Sequence, residues 1–118
     1  MQFDDIERDV HECQTNLKRW WQRRTRGWDD SDTWSLDYTT AKFLLPRLKR
    51  FKELNNGYPD VFACGEDWDI AIDKMIFAME YCIKLGGSTD LSSYNNDNRV
   101  KALEGFELFG KHFMSLWW

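Results

Sequence analysis

The chain has 118 residues, of which 42% are hydrophobic and 16% aromatic, and its net charge is -4. This length and apolar content predict one domain, residues 1–118, with its own core, and exclude disorder. An acidic N-terminus and the lack of a long apolar run argue against a signal peptide and a membrane span, so we expect an unprocessed intracellular protein. Three widely spaced cysteines predict neither disulfides nor a zinc site.

Apolar residues recur at spacings of three and four near the N-terminus, which predicts a helix with a packing face that ends at Gly27. These residues are Phe3, Ile6, Val10, Cys13, Leu17 and Trp20. Acids dominate the first half of the helix and bases the second, as the helix dipole favours. Bases alternate with indoles at its end, as in nucleic-acid binders. The acidic chain nevertheless argues against bulk nucleic-acid binding, and the alternative is that Trp20 and Trp21 anchor the core.

A polar loop from Trp28 to Trp34 precedes the second helix, which is predicted from Leu36 to about Leu54. Pro46 lies inside this helix and removes one backbone hydrogen bond, so we expect a kink there.

Arg47 falls within the apolar face predicted for the second helix. That face consists of Leu36, Thr40, Leu44, Phe51 and Leu54. A buried arginine needs a partner, and either a salt bridge to acids of the third helix or a cleft for an anion or an acidic partner surface would supply one. The predicted binding residues are Arg47, Asp37, Trp28, Trp34, Lys42, Lys49 and Arg50.

The third helix is predicted over residues 66–85, and a fourth helix follows a polar loop over residues 88–98. The apolar face of the third helix is Trp68, Ile72, Met75, Ile76, Met79, Cys82 and Ile83. The fourth helix has Leu103, Phe106, Gly110, Phe113 and Trp117 on one face. Gly105 and Gly110 would allow close helix approach. Together these segments predict an all-α fold, an antiparallel four-helix bundle with a kinked second helix.

Acids at helical spacing follow one flank of the third helix: Glu66, Asp69, Asp73 and Glu80. Such carboxylates can hold magnesium against nucleotide phosphates. The segment 66–73 is similar to the second acidic motif of all-α nucleoside triphosphate pyrophosphohydrolases, but the E-x-x-E pair that should precede it is missing. We therefore predict no catalytic residue, no metal and no cofactor. The alternative is Mg²⁺ bound by Glu66, Asp69 and Asp73.

Four segments of the chain resemble those of a known group of proteins. They are W-D-D…W-S-L-D…A-K-F-L-L-P-R-L-K-R-F-K, which begins at Trp28, N-G-Y-P at 56–59, D-K-M-I-F-A at 73–78 and F-G-K at 109–111. Residues 27–118 resemble a group of short helical proteins encoded by tailed bacteriophages. The resemblance implies a viral origin and action in the cytoplasm of a bacterial host, and it implies no particular chemistry.

We therefore expect a non-enzymatic phage accessory protein that binds a host protein or a small anionic ligand, in counter-defence or host takeover. The alternative is the magnesium-dependent nucleotide pyrophosphohydrolase. A third class is a self-assembling homo-oligomer, suggested by Trp117, Trp118 and the apolar spacing of the first helix.

Overall fold

A computed structural model describes residues 3–87 and 96–118, which contain helices and no strand. The helices are α1 (Phe3–Arg26), α2 (Leu36–Leu54), α3 (Gly65–Gly87) and α4 (Asn96–Lys111), with short 3₁₀ helices at Asp30–Thr33 and Phe113–Ser115. The all-α prediction is confirmed, while the antiparallel bundle and the kink stay predictions. Most of the predicted loop at 88–98 lies outside the described residues. None of the helices described here is long and apolar enough to cross a membrane.

The chain divides into two compact units, Met1–Leu36 and Asp37–Trp118. The first contains α1 and the loop after it. The second contains α3, α4 and all of α2 except its first residue. The prediction that residues 1–118 fold as one domain stays a prediction.

α1 ends where the sequence predicts. Gly27 has a φ of +84°, a conformation that glycine adopts without strain, and its N–H donates to the Arg23 carbonyl at 2.9 Å. The apolar side chains described along α1 are all exposed, and so are Trp20 and Trp21, at 54% and 61%. The interpretation of these two indoles as core anchors is therefore wrong.

The core of the second unit is centred on α3. Its buried cluster consists of Ala41, Leu48, Trp68, Ala71, Ile72, Met75 and Met79. The predicted face of α3 is confirmed, because four of its residues lie in this cluster and the other three pack against it. α2 contributes only Ala41 and Leu48 to the fully buried set.

The predicted buried face of α2 is only partly right: Leu44 and Phe51 pack against the core as predicted, and Leu54 is half-buried. Leu36 and Thr40 are exposed, whereas Ala41 and Leu48 are buried. Ala41 and Leu48 are seven residues apart, so they lie on one face after two turns. Arg47 precedes Leu48 by one residue, which is why it is turned to solvent.

The predicted face of α4 is also wrong. Leu103 and Phe106 are exposed, as are Phe113 and Trp117 beyond the helix, whereas the buried residues are Ala102 and Gly105.

The reason is the close approach of α4 to α3. A Cβ atom on Gly105 would lie 2.1 Å from the Lys74 carbonyl oxygen and 2.7 Å from the Ala78 Cβ atom. Small residues therefore define the contact face, which confirms the expected role of Gly105. Gly110 has no neighbour within 4 Å of its would-be Cβ atom, so it plays no such part.

Candidate functional site

The loop after α1 is built around the fully buried carboxylate of Asp29. Asp29 caps the following 3₁₀ helix: it accepts from the Ser31 N–H at 2.8 Å, from the Ser31 hydroxyl and from the Arg23 guanidinium. The Asp32 carboxylate completes a capping box by accepting from the Asp29 N–H at 3.0 Å. The Ser31 hydroxyl, followed by Arg23, lowers the pKa of Asp29 to about 2. Asp29 is therefore ionised at neutral pH.

Asp30 ties the same loop back to α1. Its carboxylate accepts from the Gln22 side-chain amide and from Arg26 Nη2, both at 2.8 Å, and these bonds lower its pKa. Sequence reasoning treated these acids as a polar loop. The D-x-x-D spacing of Asp29 and Asp32, which is typical of a helix cap, was the signal that could have identified their structural role.

Trp28 and Trp34, two of the predicted binding residues, are exposed, but each is covered on one face by a guanidinium. Arg26 lies 3.7 Å from the centroid of Trp28, and Arg19 lies 4.6 Å from that of Trp34. Both are cation–π contacts. The indoles are thus held against the end of α1 within the first unit.

Arg47 is exposed, so the prediction of a buried arginine is wrong. Its Nη1 donates to the Phe43 carbonyl at 2.8 Å, and its guanidinium carbon lies 3.7 Å from the centroid of the Phe43 ring. The helical spacing of four brings these two side chains together. The predicted acids of α3 pair with other bases: Asp73 with Lys52 and Glu80 with Lys49.

The remaining predicted bases of α2 fall into two classes. Lys49 lies 3.4 Å from Glu80, and Arg50 lies 2.8 Å from Glu53. Lys42 instead lies 5.2 Å from the centroid of Tyr38. Within the described residues, Lys42 and Arg47 contact aromatic rings and have no carboxylate within 4.0 Å.

Arg47 stacks on Phe43, which is 57% exposed, whereas Lys42 precedes Phe43 in the sequence and contacts Tyr38. We call Lys42, Phe43 and Arg47 the Phe43 patch.

Asp37 lies with Cys82 rather than with Arg47. The Cys82 thiol is 3.9 Å from the Asp37 carboxylate, and burial, followed by the Asp37 charge, raises the pKa of the thiol. A thiol with a raised pKa remains protonated at neutral pH and is a poor nucleophile. This contact is therefore structural.

The acids on the flank of α3 do not gather into a group of three potential metal ligands in the described part of the chain. Glu66, Asp69 and Asp73 are exposed, and no three His, Cys, Asp or Glu side chains among residues 3–87 and 96–118 come together as a metal-binding group. Asp73 instead accepts from the Lys52 ammonium at 2.8 Å, which raises the pKa of Lys52. The cation bound by the Asp73 carboxylate is thus the Lys52 ammonium.

A cleft of about 250 Å³ lies at one end of the second unit and was not predicted. It is lined by Asn55, Asn56, Gly57, Tyr58, Pro59, Trp68, Ser115, Trp117 and Trp118.

The buried His112 packs edge-on against Trp68, with ring centroids 5.7 Å apart. Burial lowers the pKa of His112, so the ring is neutral at physiological pH.

Comparison of the chain with family models, curated proteins and solved structures finds no match in any of the three.

Proposed function

We propose that this chain is a non-enzymatic binding protein whose Phe43 patch engages an acidic surface of a host protein. The observation that carries the proposal is the stacking of the Arg47 guanidinium on the exposed Phe43 ring, with a second cation, Lys42, next to Phe43 in the sequence. Among the described residues, both cations meet rings rather than carboxylates. The resemblance to phage proteins supports an accessory role in a bacterial cytoplasm.

The chemistry of the Phe43 patch suits a protein partner. Aromatic and arginine side chains dominate the energetics of protein interfaces, because they bury a large area and can still make directed hydrogen bonds. The Arg47 guanidinium is planar and can pair with a carboxylate through two parallel bonds. Its stacking on Phe43 and its bond to the Phe43 carbonyl hold it in place, which lowers the entropy lost on binding.

A protein surface fits the patch better than a small anion does. No patch residue lines the cleft beside Trp68 or the depressions around Asp73, Phe77 and Leu17. A small anion bound at the patch would therefore remain in water, where a single ion pair is weak. A protein partner would cover Phe43 and exclude water from Arg47, which strengthens the ion pair. We therefore favour the host protein over the small ligand.

We also infer that successive helices of the second unit run in opposite directions, with α2 kinked at Pro46. Tyr38 near the start of α2 lies against Gly86 near the end of α3, and Lys52 near the end of α2 reaches Asp73. The corresponding contacts of α3 with α4 and the residues after it are Lys74 with Glu104 and Trp68 with His112. These contacts support an antiparallel order.

The test begins with capture of host proteins on the tagged full chain and their identification by mass spectrometry. The purified partner is then titrated by calorimetry. Arg47→Met and Phe43→Ala should each weaken binding by about 2 kcal/mol, or about 30-fold, because both remove an interface anchor. Arg50→Met is the matched control: it lies on the same helix, but its guanidinium already pairs with Glu53.

The control should bind like the wild type, and all three variants should melt like it because the altered side chains are exposed. Binding should also weaken as salt is raised, since charges are paired across the interface. Undiminished affinity in both Arg47→Met and Phe43→Ala would refute the assignment. An equal loss in Arg50→Met would show that net charge, rather than the patch, governs binding.

A further inference from the structure

α1 carries an apolar stripe whose side chains are exposed and which no other part of the first unit covers. We define the α1 stripe as Ile6, Val10, Cys13, Leu17 and Trp20, all of which are exposed. Successive residues are four, three, four and three positions apart, which is the seven-residue repeat of a coiled coil. A face with this repeat fits another helix that follows it along its whole length.

The surface beside the stripe has the relief that such a helix requires. Gln14, Leu17, Lys18 and Trp21 surround a shallow depression of about 420 Å³. Their positions are i, i+3, i+4 and i+7, the spacing of a hole on a helix surface, and three of the four lie beside the stripe rather than on it. Leu17 belongs to both the stripe and the depression.

Charge along α1 is divided between its two halves. Residues 4–12 contain five acids and one base, Arg8, whereas residues 13–26 contain five bases and no acid. The acids are Asp4, Asp5, Glu7, Asp9 and Glu12, and the bases are Lys18, Arg19, Arg23, Arg24 and Arg26.

The loop acids offset only part of the basic half. Asp29 and Asp30 hold Arg23 and Arg26, and Asp30 lies 3.7 Å from Lys18. Arg19 and Arg24 contact indoles and, within the described residues, no carboxylate. The second half of α1 therefore keeps a positive surface.

We propose that the α1 stripes of two copies of this chain pair in antiparallel orientation. Antiparallel pairing places the acidic half of each helix beside the basic half of the other, whereas parallel pairing would place like charges side by side. A second copy supplies both complementary halves, and the two-fold axis makes the contact closed and symmetric.

The repeat also fixes which residues would meet. Each seven-residue repeat has two apolar positions: Val10 and Leu17 occupy one, and Ile6, Cys13 and Trp20 occupy the other. In an antiparallel pair, a residue at one of these positions lies opposite a residue at the other position of the partner helix. Phe3 continues the same spacing in the sequence, and the register that brings Trp20 opposite the partner's Phe3 places Val10 opposite the partner's Cys13 and Ile6 opposite the partner's Leu17. In a parallel pair, Cys13 would instead lie opposite the partner's Cys13.

Sedimentation equilibrium of the full chain tests the pairing. The wild type should show a concentration-dependent mass approaching twice the 14.2 kDa of one chain. Val10→Asp should remain a monomer at concentrations where the wild type is dimeric, because it places a charge in the apolar contact. His11→Asp is the matched control, since it puts the same residue one position away and off the stripe. It should dimerise like the wild type.

Cysteine cross-linking tests the direction of the helices and does not depend on the stability of the aspartate variant. Both chains carry Cys64→Ser and Cys82→Ala. The first variant then has Cys13 as its single cysteine. The second also carries Val10→Cys and Cys13→Ser, so its single cysteine is at position 10. Under mild oxidation, the mixture should give the mixed disulfide-linked dimer, because positions 10 and 13 lie opposite each other only in the antiparallel pair. The chain that keeps Cys13 should cross-link poorly with itself.

Salt gives an independent readout. An antiparallel dimer should dissociate more readily at about 1 M salt, where the Debye length falls to about 3 Å. A monomer at every concentration, or equal dimerisation by Val10→Asp and the wild type, would overturn the pairing. Self-linking through Cys13 without the mixed dimer, or a dimer that tightens with salt, would overturn the antiparallel orientation.

Discussion

α1 and α3 use the same apolar periodicity and differ in whether anything covers it. Ile6 of α1 is 43% exposed, whereas Ile72 of α3 is fully buried, although each lies on the apolar face of a long helix. A periodic pattern shows which face of a helix is apolar, and it does not show whether that face meets a partner within the chain. The partner is determined by the neighbouring helices.

The residues around the two stripes explain the difference. The α1 stripe is bordered by charged residues, so α1 presents one narrow apolar edge that suits a single helix. α3 adds Ala71 and Ala78 beside its large apolar residues, and Gly105 of α4 meets it at Ala78. Small residues let backbones approach, so α3 can be covered on more than one side.

The sharpest test of this comparison replaces the same residue in each unit. Ile72→Ala should lower the free energy of unfolding by about 2–5 kcal/mol, because it leaves a cavity in the core. Ile6→Ala should change it by no more than about 0.5 kcal/mol in dilute protein, where α1 is unpaired. Urea denaturation followed by far-UV circular dichroism measures both. Equal losses would mean that the α1 stripe is buried in the folded monomer.

A second pair of variants tests the close approach of α4 to α3. Gly105→Ala should destabilise the second unit by about 3 kcal/mol, since the added Cβ atom would collide with the Lys74 carbonyl and the helices would have to separate.

Gly110→Ala is the control on the same helix, where the new Cβ atom meets nothing within 4 Å. Alanine favours the helix more than glycine does, so this variant should gain about 0.5–1 kcal/mol. Thermal unfolding measures both changes. A gain in Gly105→Ala would show that the two helices are further apart than described.

The sequence was sufficient for the helical class, for the bounds of α1 and α2 and for the face of α3. It was insufficient for the first turn of the α2 face and for the α4 face, because Ala41, Ala102 and Gly105 are small and their burial does not appear in a pattern of large apolar residues. Burial of small residues depends on how closely a neighbouring helix approaches, which is a property of the packed pair.

The predicted site was affected by the same error. Arg47 was predicted within a face that included Leu36 and Thr40, and all three residues are exposed. The pairing of Arg47 with Phe43 follows from their spacing of four and could have been predicted. The contacts of Lys49 with Glu80 and Lys52 with Asp73 join residues distant in sequence, so they required the packed structure.

Acid should act on the loop of the first unit in a defined pH range. The folded-state pKa of Asp29, about 2, is below the ordinary value of 3.8. Its contribution to stability is therefore present above about pH 4 and is lost as the pH falls towards 2. NMR titration of the Asp29 carboxyl carbon and of the Trp28 and Trp34 indole N–H signals should follow this loss. Ser31→Ala should raise the pKa of Asp29, and a wild-type midpoint near 4 would contradict the buried, capped carboxylate.

The smallest effect should come from the acidic flank of α3. Asp73→Asn removes an exposed ion pair with Lys52, and such pairs contribute little to stability, so the unfolding midpoint should barely move. The pKa of Lys52 should fall towards its ordinary value, because Asp73 is what raises it. Magnesium requires several oxygen ligands in near-octahedral geometry, and Asp73 already faces an ammonium group. Magnesium chloride should therefore leave the melting temperature of the wild type unchanged. A magnesium-dependent rise in the melting temperature that disappears in Asp73→Asn would instead favour the nucleotide hydrolase, with a catalytic role for the acids of α3.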